Sequence, residues 1–242
     1  AIEKGLKTIC FTDHIDYDYP DDDFTFGIDL DEYDLTIKAL QEKYANHIRI
    51  LKGIEIGVQP HVLHRYETLM DEVDFDFIIC SMHATDKKGL HDGDFFAGKT
   101  SDEAYEIYYE ELLYCVKNFK RFNVLGHLDL VKRYTINNEA QNPFHEVISE
   151  IFKEIIPAGQ GIEINTSGKR YGMDHAMPSQ DILKLYKDHG GEIITLGSDA
   201  HRPEDLGFDF KDSLQLLDSI GFKYVTTFEK QEPTFHSIRG LL

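Results

Sequence analysis

The sequence predicts an α/β fold in which strands and helices alternate through one domain and curl into a closed or distorted (β/α) barrel. Short apolar, β-rich runs recur along the chain with helix-period segments between them, at spacings that allow parallel crossovers. The 242 residues suit one large domain over 1–242, with no linker or low-complexity segment to divide it. The alternative, an open doubly wound sheet, normally places a glycine-rich phosphate loop after an early strand, and this chain has none.

The elements follow in order. Residues 7–12 (KTICFT) read as a strand, with Asp13 and His14 at its carboxyl end. An acidic, aromatic loop occupies 16–29. Residues 31–44 have helical spacing through Leu35, Ile37, Leu40 and Tyr44. Residues 48–57 (IRILKGIEIG) form a second strand presenting Glu55, and 64–73 a helix. Residues 75–82 (FDFIICSM) are a third strand, followed by His83 and a loop over 84–99. A helix runs from Ser101 to about residue 121; Ser101 with Ala104 lacks a full capping box, although Asp102 and Glu103 suit a first turn. Residues 123–126 are a short strand ending at His127. A helix near 143–156, the strand GIEIN at 161–165, and a helix over 179–189 follow. The strand 192–196 (EIITL) then feeds into Gly197-Ser198-Asp199-Ala200-His201. A helix over 211–220 and a strand over 223–228 complete the reading.

Composition limits the function classes. The formal net charge is −19, which argues against nonspecific binding to nucleic acid or to an anionic membrane. No apolar run approaches the ~20 residues of a membrane helix, and no secretory signal stands at the start. Cys10, Cys80 and Cys115 show no C-x-x-C spacing, which fits a reduced, cytoplasmic protein with buried thiols. An anionic substrate would need a local positive site on this surface, and divalent ions supply one.

Six residues carry such a site. His14, Glu55, His83, His127, Asp199 and His201 all lie at or near carboxyl ends of strands, which in a barrel is the catalytic face. Imidazole nitrogen and carboxylate oxygen suit Zn, Mn or Fe. Six such ligands exceed one tetrahedral ion and suit a di- or trinuclear centre. One carboxylate confounds the set: Gly161-Ile162-Glu163-Ile164 repeats Gly53-Ile54-Glu55-Ile56, and either glutamate would project into the barrel. Arg133 and Arg170 follow two of the rim strands, and a guanidinium is a natural partner for phosphate oxygens.

Thr12-Asp13-His14, Gly53-Ile54-Glu55-Ile56-Gly57, Ser81-Met82-His83, Gly126-His127 and Gly197-Ser198-Asp199-Ala200-His201 resemble the successive motifs of the PHP (polymerase and histidinol phosphatase) superfamily. Glu163 to Gly168 with Arg170 is similar to its histidinol-phosphatase branch. The resemblance implies a distorted (β/α)7 TIM-like barrel of PHP type with a trinuclear metal centre. It implies that Glu55 bridges, that His83 and His127 bind one metal, that His14 and His201 share another, and that Asp199 joins Glu55 on the third. It also supports Arg133 and Arg170 as the phosphate-binding pair.

The function that follows is metal-dependent hydrolysis of L-histidinol phosphate in histidine biosynthesis, with roughly two to three divalent ions (Zn, Mn or Fe) and an activated water as nucleophile. The alternatives are a phosphoesterase acting on phosphotyrosine or a nucleotide, and a degenerate, non-enzymatic metal-binding module. The expected partner is a small phosphorylated molecule, and the oligomeric state is left open. The superfamily opens with a strand ending in His-x-His, which this chain lacks. Residues 1–6 read as the last turn of a helix capped by Gly5. The expectation is therefore that a first strand precedes the sequence in hand, that the barrel wall is incomplete beside residues 7–12, and that the metal between Glu55 and Asp199 is the most weakened.

Overall fold

The computed structural model describes residues 1–21, 26–135 and 140–242; positions 22–25 of the expected acidic loop and positions 136–139 beyond Arg133 lie outside them. The chain enters through a turn in which Gly5, at φ +78°, donates its N–H to Ile2 O. The elements are β1 (Thr8–Phe11), β2 (His14–Ile15), α1 (Leu30–Tyr44), β3 (Arg49–Gly57), α2 (Leu63–Glu72), β4 (Phe77–Ser81), β5 (Ala84–Thr85), β6 (Lys88–Gly89) and α3 (Ser101–Asn118). They continue with β7 (Val124–Leu125), α4 (His145–Ile155), β8 (Gly161–Asn165), α5 (Ser167–Arg170), α6 (Gln180–Asp188), β9 (Ile194–Gly197), α7 (Phe210–Ile220), β10 (Tyr224–Glu229), β11 (Glu232–Ser237) and α8 (Ile238–Leu241).

The main sheet runs β1-β3-β4-β7-β8-β9, with β2 also pairing β3, and every pairing in it is parallel. Strand order follows chain order without reversal. A doubly wound sheet reverses at its switch point, so this sheet is of the curled, TIM-like kind. Among the described residues β1 and β9 end the hydrogen-bonded path. Beside residues 7–12, where an open edge was expected, β1 bonds among the described residues along one side, to β3.

Period-two alternation gives the sheet two unlike faces. Ile54, Ile56, Ile78, Cys80, Ile162, Ile164 and Ile194 join the main core, where they meet the buried faces of the helices through Tyr66, Tyr108, Leu112, Phe152 and Tyr186. The opposite residues, Phe77, Ile79 and Val124, form a separate small cluster closed by Phe228 of β10. The Phe77 and Phe228 rings stack at 5.4 Å between centroids. Glu55 is the register partner of Ile79, and Val124 of Gly161 two residues before Glu163. Both glutamates therefore share the inner face with this apolar layer, Glu55 level with Ile79 and Glu163 one step nearer the carboxyl ends.

Three local features differ from expectation. The expected strand over 223–228 is half of an antiparallel hairpin, β10–β11. Its second strand is almost wholly exposed, so no buried face imposed an alternation to be read. The α3 cap lies at Thr100, whose side chain accepts from Glu103 N at 3.3 Å while Thr100 N donates to Glu103 Oε2 at 2.8 Å. The helix expected near 143 starts at His145, because Phe144 takes a left-handed conformation at φ 55°. Cys10, Cys80 and Cys115 are free thiols. No helix among the described residues is long and apolar enough to cross a membrane.

Candidate functional site

Strand register assembles the site. His14 of β2 lies opposite Glu55 of β3, His83 comes two residues after β4, and His127 two residues after β7. Three imidazoles converge on the Glu55 carboxylate. His127 Nε2 is 3.1 Å and His83 Nε2 3.2 Å from Glu55 Oε1, and His14 Nε2 is 3.6 Å from Oε2. The His83 and His127 Nε2 atoms stand 3.3 Å apart. His14, Glu55 and His83 each offer one ligand atom within 4.8 Å of the others. The remaining pair lies close by: His201 Nε2 is 3.1 Å from Asp199 Oδ1, and the His14 and His201 rings stack at 6.1 Å.

Charge in this cluster is strongly biased. Burial alone would raise the Glu55 carboxyl, but the His14 charge and hydrogen bonds from His127 and His83 outweigh it and hold the group well below the usual carboxylate range. Burial would lower His83, yet Asp16 and Glu55 raise it well above an ordinary imidazole. His201 is raised chiefly by its bond to Asp199. For Asp199, burial is overcome by the same bond, and its carboxyl is lowered. The cluster thus draws positive charge into a buried spot. Nitrogen and oxygen donors aimed at one point, with carboxylates that demand a cation, fit a divalent ion better than they fit protons.

Glu163 occupies a different place. Its Oε2 accepts from His127 N at 3.2 Å and from Asn165 Nδ2 at 3.2 Å. Burial, with the nearby Glu55 and Asp199 charges, pushes its carboxyl up to about 8. A Cβ at Gly197 would collide with Glu163 Oε1, so this glycine makes room for the carboxyl. The repeat that left Glu55 and Glu163 equivalent in sequence is resolved by their partners: Glu55 faces imidazole nitrogens, and Glu163 faces a backbone N–H and an amide.

Two rim residues sit in the sparsely populated left-handed region, His127 at φ +21° and Asp199 at φ +48°. Each such residue costs about 1–3 kcal/mol and persists only where neighbours fix it. Arg170 fixes Asp199 by donating from its two terminal nitrogens to Ser198 O at 2.6 Å and Asp199 O at 2.7 Å. Ser167 Oγ lies 3.1 Å from Asp199 Oδ2 and 2.6 Å from Asn165 Oδ1. Arg133 is placed otherwise: its guanidinium lies 4.4 Å from the Tyr171 ring centroid and donates to Tyr134 Oη at 2.8 Å. A cavity of about 600 Å³ lined by Tyr105, Tyr109, Lys132, His175 and Asp181 opens nearby, and none of the six rim residues lines it.

Sequence reasoning missed Asp16. The residue is buried, and its Oδ2 lies 2.6 Å from His83 Nδ1. The available signal was its place two residues after His14, but it was hidden among the acids of the loop that follows.

A protein-family model described as PHP domain matches residues 1–167. The chain is 32% identical over 235 residues to a histidinol-phosphatase of Lactococcus lactis, covering 94% of this chain and 85% of that one. It is 30% identical over 242 residues to a Clostridium acetobutylicum protein named probable histidinol-phosphatase, covering 96% and 90%. The fold superposes on the crystal structure of the Lactococcus lactis histidinol phosphate phosphatase complexed with zinc, L-histidinol and phosphate. The TM-score is 0.81 at 29% identity, over 97% of this chain and 89% of that one.

Proposed function

The chain belongs to the PHP domain family, and on that premise we propose that it is a histidinol-phosphatase, releasing phosphate from L-histidinol phosphate. The observation that carries this reading is the convergence of three imidazoles on Glu55 at the carboxyl ends of a parallel sheet. The frame around it is similar to that of a protein solved with zinc, histidinol and phosphate. Histidine biosynthesis is the corresponding metabolic setting, and the free thiols, with Cys80 and Cys115 buried, accord with the cytoplasm.

Phosphate-monoester hydrolysis is among the slowest uncatalysed reactions, and an enzyme must supply on the order of 20 kcal/mol or more. Divalent ions contribute Lewis-acid charge and a lowered water pKa. In this chain Glu55, His83 and His127 would hold one ion and His14 with His201 a second. Asp199 with Glu55 would hold a third. Zinc is the metal bound by the Lactococcus lactis relative; manganese or iron suits the same donors. Arg133 stacks on Tyr171 with N–H groups to spare and would bind non-bridging phosphate oxygens. Arg170, whose terminal nitrogens each keep one further N–H beyond the carbonyls they serve, would border the same oxygens.

The test is phosphate release by chelator-stripped protein given back zinc, manganese or iron, with L-histidinol phosphate, phosphotyrosine and a nucleoside monophosphate compared. Metal-dependent kcat/KM highest for L-histidinol phosphate is expected. A preference for either of the other two would replace the substrate, and no metal-dependent release from any would refute the phosphatase reading.

A further inference from the structure

Asp16 has a geometry that none of the six rim residues explains. Its side chain is 2% exposed and lies on the far side of two imidazoles from Glu55. Asp16 Oδ2 is 2.6 Å from His83 Nδ1, while the same ring's Nε2 is 3.2 Å from Glu55 Oε1. Asp16 Oδ1 is 3.8 Å from His14 Nδ1, while that ring's Nε2 is 3.6 Å from Glu55 Oε2. His14 Nδ1 and Asp16 Oδ1 are both buried without a hydrogen-bond partner among the described residues. One carboxylate thus stands behind both rings and another in front.

The fold builds a place for this carboxylate. Tyr66 Oη lies 3.0 Å from Ile15 O and 2.7 Å from Gly57 O, and it accepts from Tyr17 N at 3.1 Å. It therefore ties the exit of β2 to the end of β3 on either side of Asp16. Asp16 N donates to Phe26 O at 3.0 Å. A Cβ on Gly57 would collide with the Asp16 carboxyl, so the side chain fills the space that this glycine leaves.

Resting on the reading of the rim as a metal centre, we infer that Asp16 is a positioning residue for two ligands at once, holding the Nδ1–H tautomer of His83 by a hydrogen bond and drawing an Nδ1–H of His14 towards the same carboxylate, so that each ring turns its Nε2 to the metal centre. A ligating histidine needs its second nitrogen fixed by an acceptor, and loss of that acceptor typically costs about 10–100-fold in metal affinity. One carboxylate thus holds His83 through Oδ2 at 2.6 Å and faces His14 through Oδ1 at 3.8 Å, so removing it disturbs both rings, His83 the more.

The experiment uses the whole chain with zinc as probe. Zinc affinity is measured by chelator competition, and histidine tautomers by ¹⁵N NMR of the zinc-loaded protein, for wild type, Asp16→Ala, Asp16→Asn and Gly57→Ala. Asp16→Ala should weaken zinc by about 10–100-fold and remove the Nδ1–H signature of His83. Asp16→Asn keeps an acceptor oxygen of the same shape, so it should recover most of the affinity and keep that signature. Gly57→Ala alters no ligand and not Asp16 itself, and it should lower affinity by displacing the carboxyl. If Asp16→Ala does not fold, the near-isosteric Asn variant and Gly57→Ala decide the matter. Wild-type zinc affinity in Asp16→Ala, or in Gly57→Ala where the Ala variant does not fold, overturns the proposal. So does a loss in Asp16→Asn of tenfold or more together with the His83 signature, which would make Asp16 a ligand in its own right. Substrate preference enters none of these readouts, so a failure of the histidinol phosphate reading remains separable.

Discussion

Asp199 is held from two directions. Arg170 grips its carbonyl, and Ser167 and His201 meet its carboxylate. This separates the two arginines by experiment. Arg133→Ala should reduce kcat/KM by on the order of 10- to 100-fold, the worth of a charge-assisted contact, through KM and with metal content unchanged. Arg170→Ala should lower kcat/KM and also metal retention, because the left-handed turn at Asp199 loses two donors; unchanged zinc affinity in that variant would show that the turn holds itself. The six candidate rim residues could be grouped from sequence because each lies at or near the carboxyl end of an apolar strand run, where backbone direction sets the rim. The roles of Asp16 and Glu163 were not legible. What distinguishes them is contact across 67 residues, from Asp16 to His83, and across 36, from His127 to Glu163, and one-dimensional spacing does not encode those distances.

At the scale of elements, the sheet's inner face is divided into an apolar layer and a layer of titratable groups. Phe228 of β10 completes the apolar layer. Phe228→Ala should destabilise the protein by about 3–5 kcal/mol through lost burial and the cavity left behind; urea unfolding checks this, and a loss below about 1 kcal/mol would mean that the layer closes without it. The α3 cap offers a milder change. Thr100→Ala removes the reciprocal box with Glu103 and should cost about 0.5–2 kcal/mol, a thermal shift of a few degrees. Most strands and helices were readable from apolar periodicity because their buried faces enforce it. The exposed β11 and the one-residue displacement of the cap carry no such signature, since an exposed strand needs no alternation and Thr100 and Ser101 are both good cap residues.

The whole molecule carries a net charge of −19 around a site read as binding a phosphate ester. Its long-range field repels that substrate, so metal ions and arginines act at short range against it. Raising ionic strength from about 10 mM to about 150 mM should screen the repulsion and raise kcat/KM; a steep fall would show that the local cationic site dominates the encounter. The curled topology was legible as a whole because apolar strand runs alternate with helix-period segments along the chain, while the other end of the hydrogen-bonded path, at β9 among the described residues, emerges from pairing alone. The central claim is that residues from five strand ends make one metal centre. Anomalous X-ray scattering at the zinc edge, on crystals of the chain grown with zinc, tests it most directly. The account predicts a peak about 2.0–2.2 Å from Glu55 Oε1, His83 Nε2 and His127 Nε2; the absence of any peak among these residues, with zinc bound elsewhere, would contradict it.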